Sequence, residues 1–256
     1  MNVRRIRENW RMALYSNAAM VLYYDIAGDN TDHDDWHTYE HMHERLSIPG
    51  FMRGTRWVAK AGTPKYMVTY EVAGSEVATS SAYLARLNDP TPWTASMMGR
   101  FRGMIRGFCT VVASSGFGLG NAAVSVRFKP VKGGEADLAD RLAREVMPAM
   151  SLRRGMAGVH LLQPAPPPPM TKEQSMRGAD TPMTWLLLAT AYDSEALSGA
   201  TAEHLEPEAL RRHGASAQME IGTYALHYTV TAQEVARTAP NPPLHPDTRA
   251  STGARR

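Results

Sequence analysis

Residues 33–46, HDDWHTYEHMHERL, concentrate side chains that move protons or bind metals. Read as a helix over 35–46, the segment sets His37, His41 and Glu44 at i, i+4 and i+7 on one polar stripe. An imidazole titrates near neutrality, so His41 suits general acid or base catalysis, with Glu40 or Glu44 fixing its tautomer. The same spacing admits another chemistry, in which His37 and His41 share a divalent metal completed by Glu44 or His33. Trp36, Tyr39, His43 and Leu46, with Met42 beside them, form an apolar stripe that predicts the buried face. His43 there reads as a packed histidine. Aromatic residues in or beside the first strands supply pocket walls: Tyr23, Phe51, Trp57, Tyr66, Tyr70 and Trp93. Tyr66 and Tyr70 share one face at period two. Arg53 and Arg56 carry guanidinium forks suited to a carboxylate or enolate oxygen. His160, Trp185, Tyr224, His227 and Tyr228 are the corresponding candidates further along.

These residues need a scaffold, and composition limits its kind. The chain has 256 residues, 43% hydrophobic and 21% charged, enough to bury a core. Its one cysteine, Cys109, excludes a disulfide framework and a cysteine-rich zinc module. No apolar run is long enough to cross a bilayer, and the arginine-bearing start lacks the apolar stretch of a secretory signal, so a cytoplasmic protein with no membrane partner is expected. Residues 1–11 carry net +3 and 237–256 another +3, leaving 12–236 at −3. The basic balance belongs to the ends, which argues against nucleic-acid binding. G-F-G-L-G at 116–120 lacks the dinucleotide fingerprint, no G-x-S-x-G occurs, and Cys109 lies inside a strand pattern.

Strand patterns at 17–28, 51–60, 65–72 and 103–114, with helical patterns at 35–46 and 75–88, predict the order β-α-β-β-α-β. Asp34 or Asp35 and then Ser75 are the expected helix caps. After a linker at 116–121 the order begins again: strands at 122–131, 157–164, 184–193 and 221–230, helices at 136–150 and 194–214, the last broken at Pro207. Glu40, Met42 and Gly50 are matched by Glu145, Met147 and Gly155, each 105 residues on. The expected division is therefore an N-terminal extension (1–16), one ferredoxin-like repeat (17–115), the linker, a degenerate second repeat (122–230) and a disordered tail (231–256). A ferredoxin-like unit leaves one sheet face bare, so the two units should cover each other as an α+β barrel with a cavity inside.

Trp36-x-x-x-Glu40-His41-Met42 and the continuation Glu44-Arg45-Leu46-Ser47-Ile48-Pro49-Gly50-Phe51 resemble the signature of dimeric α+β-barrel proteins, within them an uncharacterised bacterial group related to the EthD proteins. The resemblance covers residues 18–115 well and 122–230 as a degenerate copy. It implies an intrachain version of a two-subunit barrel, as a monomeric pseudo-dimer or a homodimer of such chains. His43 stands where the pattern usually has proline, and His41 and Glu44 are matched by Val146 and Ala149, so only the first half would carry chemistry. Relatives include isomerases, cyclases, cofactor-free monooxygenases and haem-binding proteins. The expected function is a cofactor-independent enzyme acting on an aromatic, lactone or polyketide-like small molecule by proton transfer through His41 with Glu40 or Glu44. Trp36, Arg53, Trp57, Tyr66, Tyr70 and Tyr23 would contact the substrate. The alternative is a non-catalytic binding or stress-type protein holding a small hydrophobic ligand or haem.

Overall fold

The computed structural model describes residues 14, 16–60 and 64–237. The chain runs β1 (Ala18–Ile26), α1 (Asn30–Trp36), a π-helical turn (His37–His41), α2 (Met42–Leu46), β2 (Phe51–Ala59), β3 (Tyr66–Val72), a 3-10 turn (Ser75–Thr79), α3 (Ser81–Asn88), α4 (Pro92–Met98) and β4 (Phe101–Gly116). It continues with β5 (Ala122–Pro130), α5 (Glu135–Arg141), a second π-helical turn (Leu142–Val146), α6 (Met147–Ser151), β6 (Met156–Pro164), α7 (Lys172–Arg177), β7 (Thr181–Pro182), β8 (Trp185–Ala191), α8 (Ser194–His204), α9 (Pro207–His213), β9 (Ala215–Thr231) and α10 (Ala232–Arg237).

Eight strands close into a barrel in the order β1-β3-β2-β9-β5-β8-β6-β4, with β4 returning to β1 and the two-residue β7 beside β4. Closure depends on two long strands. β4 pairs with β1 through 101–110 and with β6 through 109–116. β9 pairs with β5 through 215–225 and with β2 through 224–231. Among the described residues, closure leaves each of the eight barrel strands paired on both sides. Every residue of β3 and β8 is buried, because one face meets helices and the other faces the barrel interior. Full burial of one such Leu or Val side chain contributes roughly 1.5–3 kcal/mol.

The barrel interior is filled. Val21, Tyr23, Trp57, Met67, Cys109, Leu162, Leu186, Leu188 and Tyr224 pack there as one cluster. The expectation of an inner cavity is corrected accordingly, and the candidate site lies outside the barrel, beneath the helices.

Local features refine the expected elements. The first helix starts at Asn30, because the Asp29 carboxylate, not Asp34 or Asp35, caps it, accepting from Thr31 N at 2.8 Å. Ser80, not Ser75, caps α3. The two π-helical turns lie 105 residues apart. Gly50 and Gly155, also 105 apart, both take φ +95°, a left-handed conformation that admits glycine most readily. A Cβ on Gly155 would lie 2.5 Å from Ala196 Cβ and 2.9 Å from Asp193 Cβ. Gly155→Ala is therefore expected to lower stability by at least about 1 kcal/mol in urea unfolding.

Residues 1–13 and 15 of the expected extension and 238–256 of the expected tail lie outside the described residues. The tail's expected start is helical instead: α10 lays Ala232 and Val235 against the first-half core.

Candidate active site

A narrow cavity of about 30 Å³ lies between the outer face of the β1–β3–β4 sheet and the helices of the first half. β1 contributes Met20, Leu22 and Tyr24, which alternate with the interior-facing Val21 and Tyr23. β3 contributes Tyr70. The helical stretch 30–46 contributes Trp36, His37, His41 and Arg45.

His33, His37, His41 and Arg45 recur every four residues and form the face of that helix turned to the sheet. His33, His37 and Arg45 are buried, and His41 is 12% exposed. The His33 and His37 rings stack at 5.6 Å, and the His41 ring lies 5.7 Å from His37 and 4.3 Å from the Trp36 indole. The positions 105 residues on are Leu138, Leu142, Val146 and Met150, all packed in the second-half core. One stripe is thus polar under the first half and apolar under the second.

Burial drives the protonated form of these histidines out. His41 is held well below its ordinary pKa by burial and then by the Arg45 and Arg177 cations. His37 is held well below by burial and Arg56. Both are neutral at physiological pH. His41 Nδ1 has no hydrogen-bond partner; the Glu44 carboxylate stands 3.8 Å away. Burial raises the pKa of Glu44, and the carboxylate also faces Arg86 at 3.6 Å.

The segment 165–184 closes the cavity from the second half of the chain. Its helix α7, capped by Thr171, carries Glu173 into a buried ion pair with Arg45, both 3% exposed. Arg177 joins the same wall and pairs with Asp180 at 2.8 Å; Asp180 in turn meets Arg106 at 3.2 Å. The Tyr83 hydroxyl accepts from Arg106. Arg45 Nη1 and Glu173 Oε1 are buried and unpartnered. A buried polar atom without a partner costs about 1–3 kcal/mol, so a donor, an acceptor and His41 Nδ1 left open around one cavity point to a polar ligand there. Three guanidinium groups against one carboxylate on the lining favour negative charge on that ligand.

The residues singled out by sequence divide between two faces. Trp36 and Tyr70 line the cavity with His41. Tyr66 lies behind them, stacked on Tyr24 at 5.4 Å. Tyr23 and Trp57 point into the barrel, where the Tyr23 hydroxyl meets Ser125 Oγ at 2.6 Å. Arg53 is bound by Glu71, its Nε 2.7 Å from Oε1. Tyr23, Trp57 and Arg53, expected as substrate contacts, do not line this cavity: strand parity and this ion pair place them elsewhere. Glu40 does not orient His41; its Oε1 accepts from Thr91 and Thr94 hydroxyls at 2.5 and 3.2 Å and ties the helix to α4. Tyr39, expected on the buried stripe, is 47% exposed. His43 is only partly buried. Trp36, Met42 and Leu46 of the expected stripe are buried, but the sheet also receives the polar stripe, which turns Tyr39 and His43 outward. For metal binding by His37, His41 and Glu44 the geometry is unfavourable: His37 meets Arg56 and Tyr70 through its two nitrogens, each at 3.3 Å, and no metal-ligand cluster of three occurs among the described residues.

Sequence reasoning missed Arg45, Glu173, Arg106 and Arg177. The available signal was length: the second half spends residues 165–184 on a connection that the first half makes with 60–65. Connections of that size usually do more than turn the chain.

No family model and no curated protein matches the chain. Solved structures do. An anthrone oxidase-like protein superposes with TM-score 0.62 at 10% identity, covering 90% of this chain and 99% of its own. A monooxygenase candidate from Fusobacterium nucleatum gives 0.54 at 10% identity, covering 85% and 96%. A chlorite dismutase candidate gives 0.51 at 14% identity, covering 86% and 97%. These likenesses show a shared α+β-barrel fold. No helix among the described residues is long and apolar enough to cross a membrane.

Proposed function

We propose that the chain is a small-molecule enzyme with one working cavity, in which His41 takes a proton from, or returns one to, an aromatic, lactone or polyketide-like ligand without a resident cofactor. The observation that carries the reading is His41 itself: neutral, buried, with Nδ1 unbonded, in an aromatic cavity beside the open Arg45 Nη1. A neutral imidazole is the form that accepts a proton, and the Arg45 and Arg177 cations that oppose its protonation also line the cavity, where with Arg106 they stabilise the anion that proton removal leaves on the ligand. Glu44, 3.8 Å from Nδ1, is the carboxylate placed to receive the imidazolium. Isomerisation, cyclisation, elimination or oxygenation can all begin with this step.

The same reading takes the chain as a tandem fusion of two ferredoxin-like units of EthD-like type. The paired π-helical turns and the paired Gly50 and Gly155 support it. The apolar stripe under the second unit supports a single site per chain.

The test is deuterium incorporation, followed by NMR in D₂O, into carbon acids such as 2-indanone and aromatic lactones. The wild-type chain should catalyse exchange, and His41→Ala should lower kcat by about 100-fold while still binding the probe. Binding without exchange, or a Soret band after addition of haemin, would favour a non-catalytic binding protein.

A further inference from the structure

Two tyrosines on the cavity wall are bonded to histidines with opposite polarity. His33 Nδ1 lies 3.0 Å from Asp34 Oδ1, and its Nε2 lies 3.1 Å from the Tyr24 hydroxyl. A carboxylate only accepts, so the His33 proton sits on Nδ1, Nε2 accepts, and the Tyr24 hydroxyl donates to it. Burial pushes the Asp34 carboxyl up, but the His33 hydrogen bond and Arg56, 3.8 Å away, outweigh it and keep it ionised. His37 is wired the other way. The Arg56 guanidinium only donates, and its Nη1 lies 3.3 Å from His37 Nδ1. Nδ1 therefore accepts, and Nε2–H points at the Tyr70 hydroxyl oxygen, 3.3 Å away. The Tyr70 proton is left to donate elsewhere. Tyr24 and Tyr70 are both buried and both line the cavity. His33 is fully buried, whereas the Asp34 side chain is 26% exposed, so the first chain of bonds runs from cavity to water.

We infer that Tyr24, His33 and Asp34 form a proton relay between the cavity and the surface, and that Tyr70 is its counterpart, donating a hydrogen bond to the charge left on the ligand. The inference rests on the proton chemistry proposed above and adds a second path to it. In the forward step a ligand X–H bond breaks and its proton goes to the Tyr24 oxygen. The Tyr24 proton passes to His33 Nε2, and the bonding pair stays on X. Tyr24 ends neutral, and His33 ends as an imidazolium held by ionised Asp34. Nothing is oxidised or reduced. Run in reverse, the relay returns a proton. With His41 on the same cavity, a proton can leave one ligand atom and come back at another, which is what an isomerisation requires. Tyr24 is the catalytic residue of the relay; His33 and Asp34 are positioning residues.

Long-range ¹H–¹⁵N spectra of the histidine-labelled full chain read the wiring without a substrate. His33 should carry its proton on Nδ1 and His37 on Nε2, and Tyr24→Phe should shift the His33 Nε2 resonance while leaving that of His37 in place. A shared tautomer, or His33 protonated on Nε2, overturns the relay. In 2-indanone exchange, Tyr24→Phe should lower kcat about 100-fold with KM changed by no more than about twofold, and Asp34→Asn should lower kcat in the same pattern. An unchanged kcat in Tyr24→Phe also overturns it. A wild-type chain inert toward the carbon acids sinks the proton chemistry itself, and the tautomers then decide the wiring alone.

Discussion

Glu173→Gln should unfold roughly 10 °C below the unaltered chain. Arg45 and Glu173 are 3% exposed each and belong to segments 128 residues apart. Removing one member of such a pair leaves a charge in a low-dielectric site, at a cost of about 3–5 kcal/mol. For a chain of this size each kcal/mol moves Tm by roughly 2–4 °C. The cost has a specific source: the Arg45 guanidinium stays, with Nη1 already unpartnered. Two further measurements separate this from a general loosening of α7. Replacing both partners, Arg45→Met with Glu173→Leu, should restore most of the lost stability, because neither charge is then buried. An aromatic carboxylate added to Glu173→Gln should raise its Tm more than that of the parent chain, since the freed guanidinium gains a ligand by mass action. A Glu173→Gln chain as stable as its parent would mean that α7 does not close the cavity as described.

The fold was legible because strand and helix periods are local. The regions at 18–26, 51–59 and 66–72 carry their β-branched and aromatic residues in sequence, and the helix at 30–46 ends where Pro49-Gly50 forces it to. What sequence does not carry is which side of a doubly buried strand a residue takes. β3 reads YMVTYEV, buried at every position, so burial does not distinguish Tyr66 and Tyr70 from Met67 and Glu71. Tyr23 and Trp57 therefore look like pocket walls although they fill the barrel. Parity against one residue of known face would have sorted them, and only the structure supplies that reference. The helix posed the converse problem. Its apolar positions suggested one buried face, and Trp36, Met42 and Leu46 are buried as expected, yet the sheet also receives His33, His37, His41 and Arg45, where the cavity lies. Polar residues turn inward where ligand-facing groups replace core, and a rule that sends apolar residues inward fails at that place. The contacts of Glu173 and Arg177 span most of the chain, so no local pattern announces them.

Between pH 7 and 5.5 the protein should lose about 4 kcal/mol of stability. Burial lowers His37 and His41 well below their ordinary values, and it lowers His160, whose Nδ1 meets Ser114 Oγ at 2.7 Å, to about 3. In the unfolded chain each titrates near 6.5. Below 6.5 the unfolded state therefore binds more protons than the folded one, and stability falls as pH falls. One unit below 6.5 each group contributes a loss of about 1.4 kcal/mol, and three such groups give the total. His33 is lowered too, with Asp34 opposing the burial, and adds a smaller share. Glu44, raised by burial, works in the opposite sense but from a value of 4.5, so the window from 6.5 to 5.5 belongs to the histidines. Urea unfolding at pH 7.0 and 5.5 measures the difference. His160→Asn should remove about one third of it, because one of the three buried histidines is then gone. A stability unchanged across this window would mean that the histidines titrate in the folded state as they do in the unfolded chain, near 6.5. The burial that holds His41 neutral would then be absent, and the site described around it would fall with the same experiment.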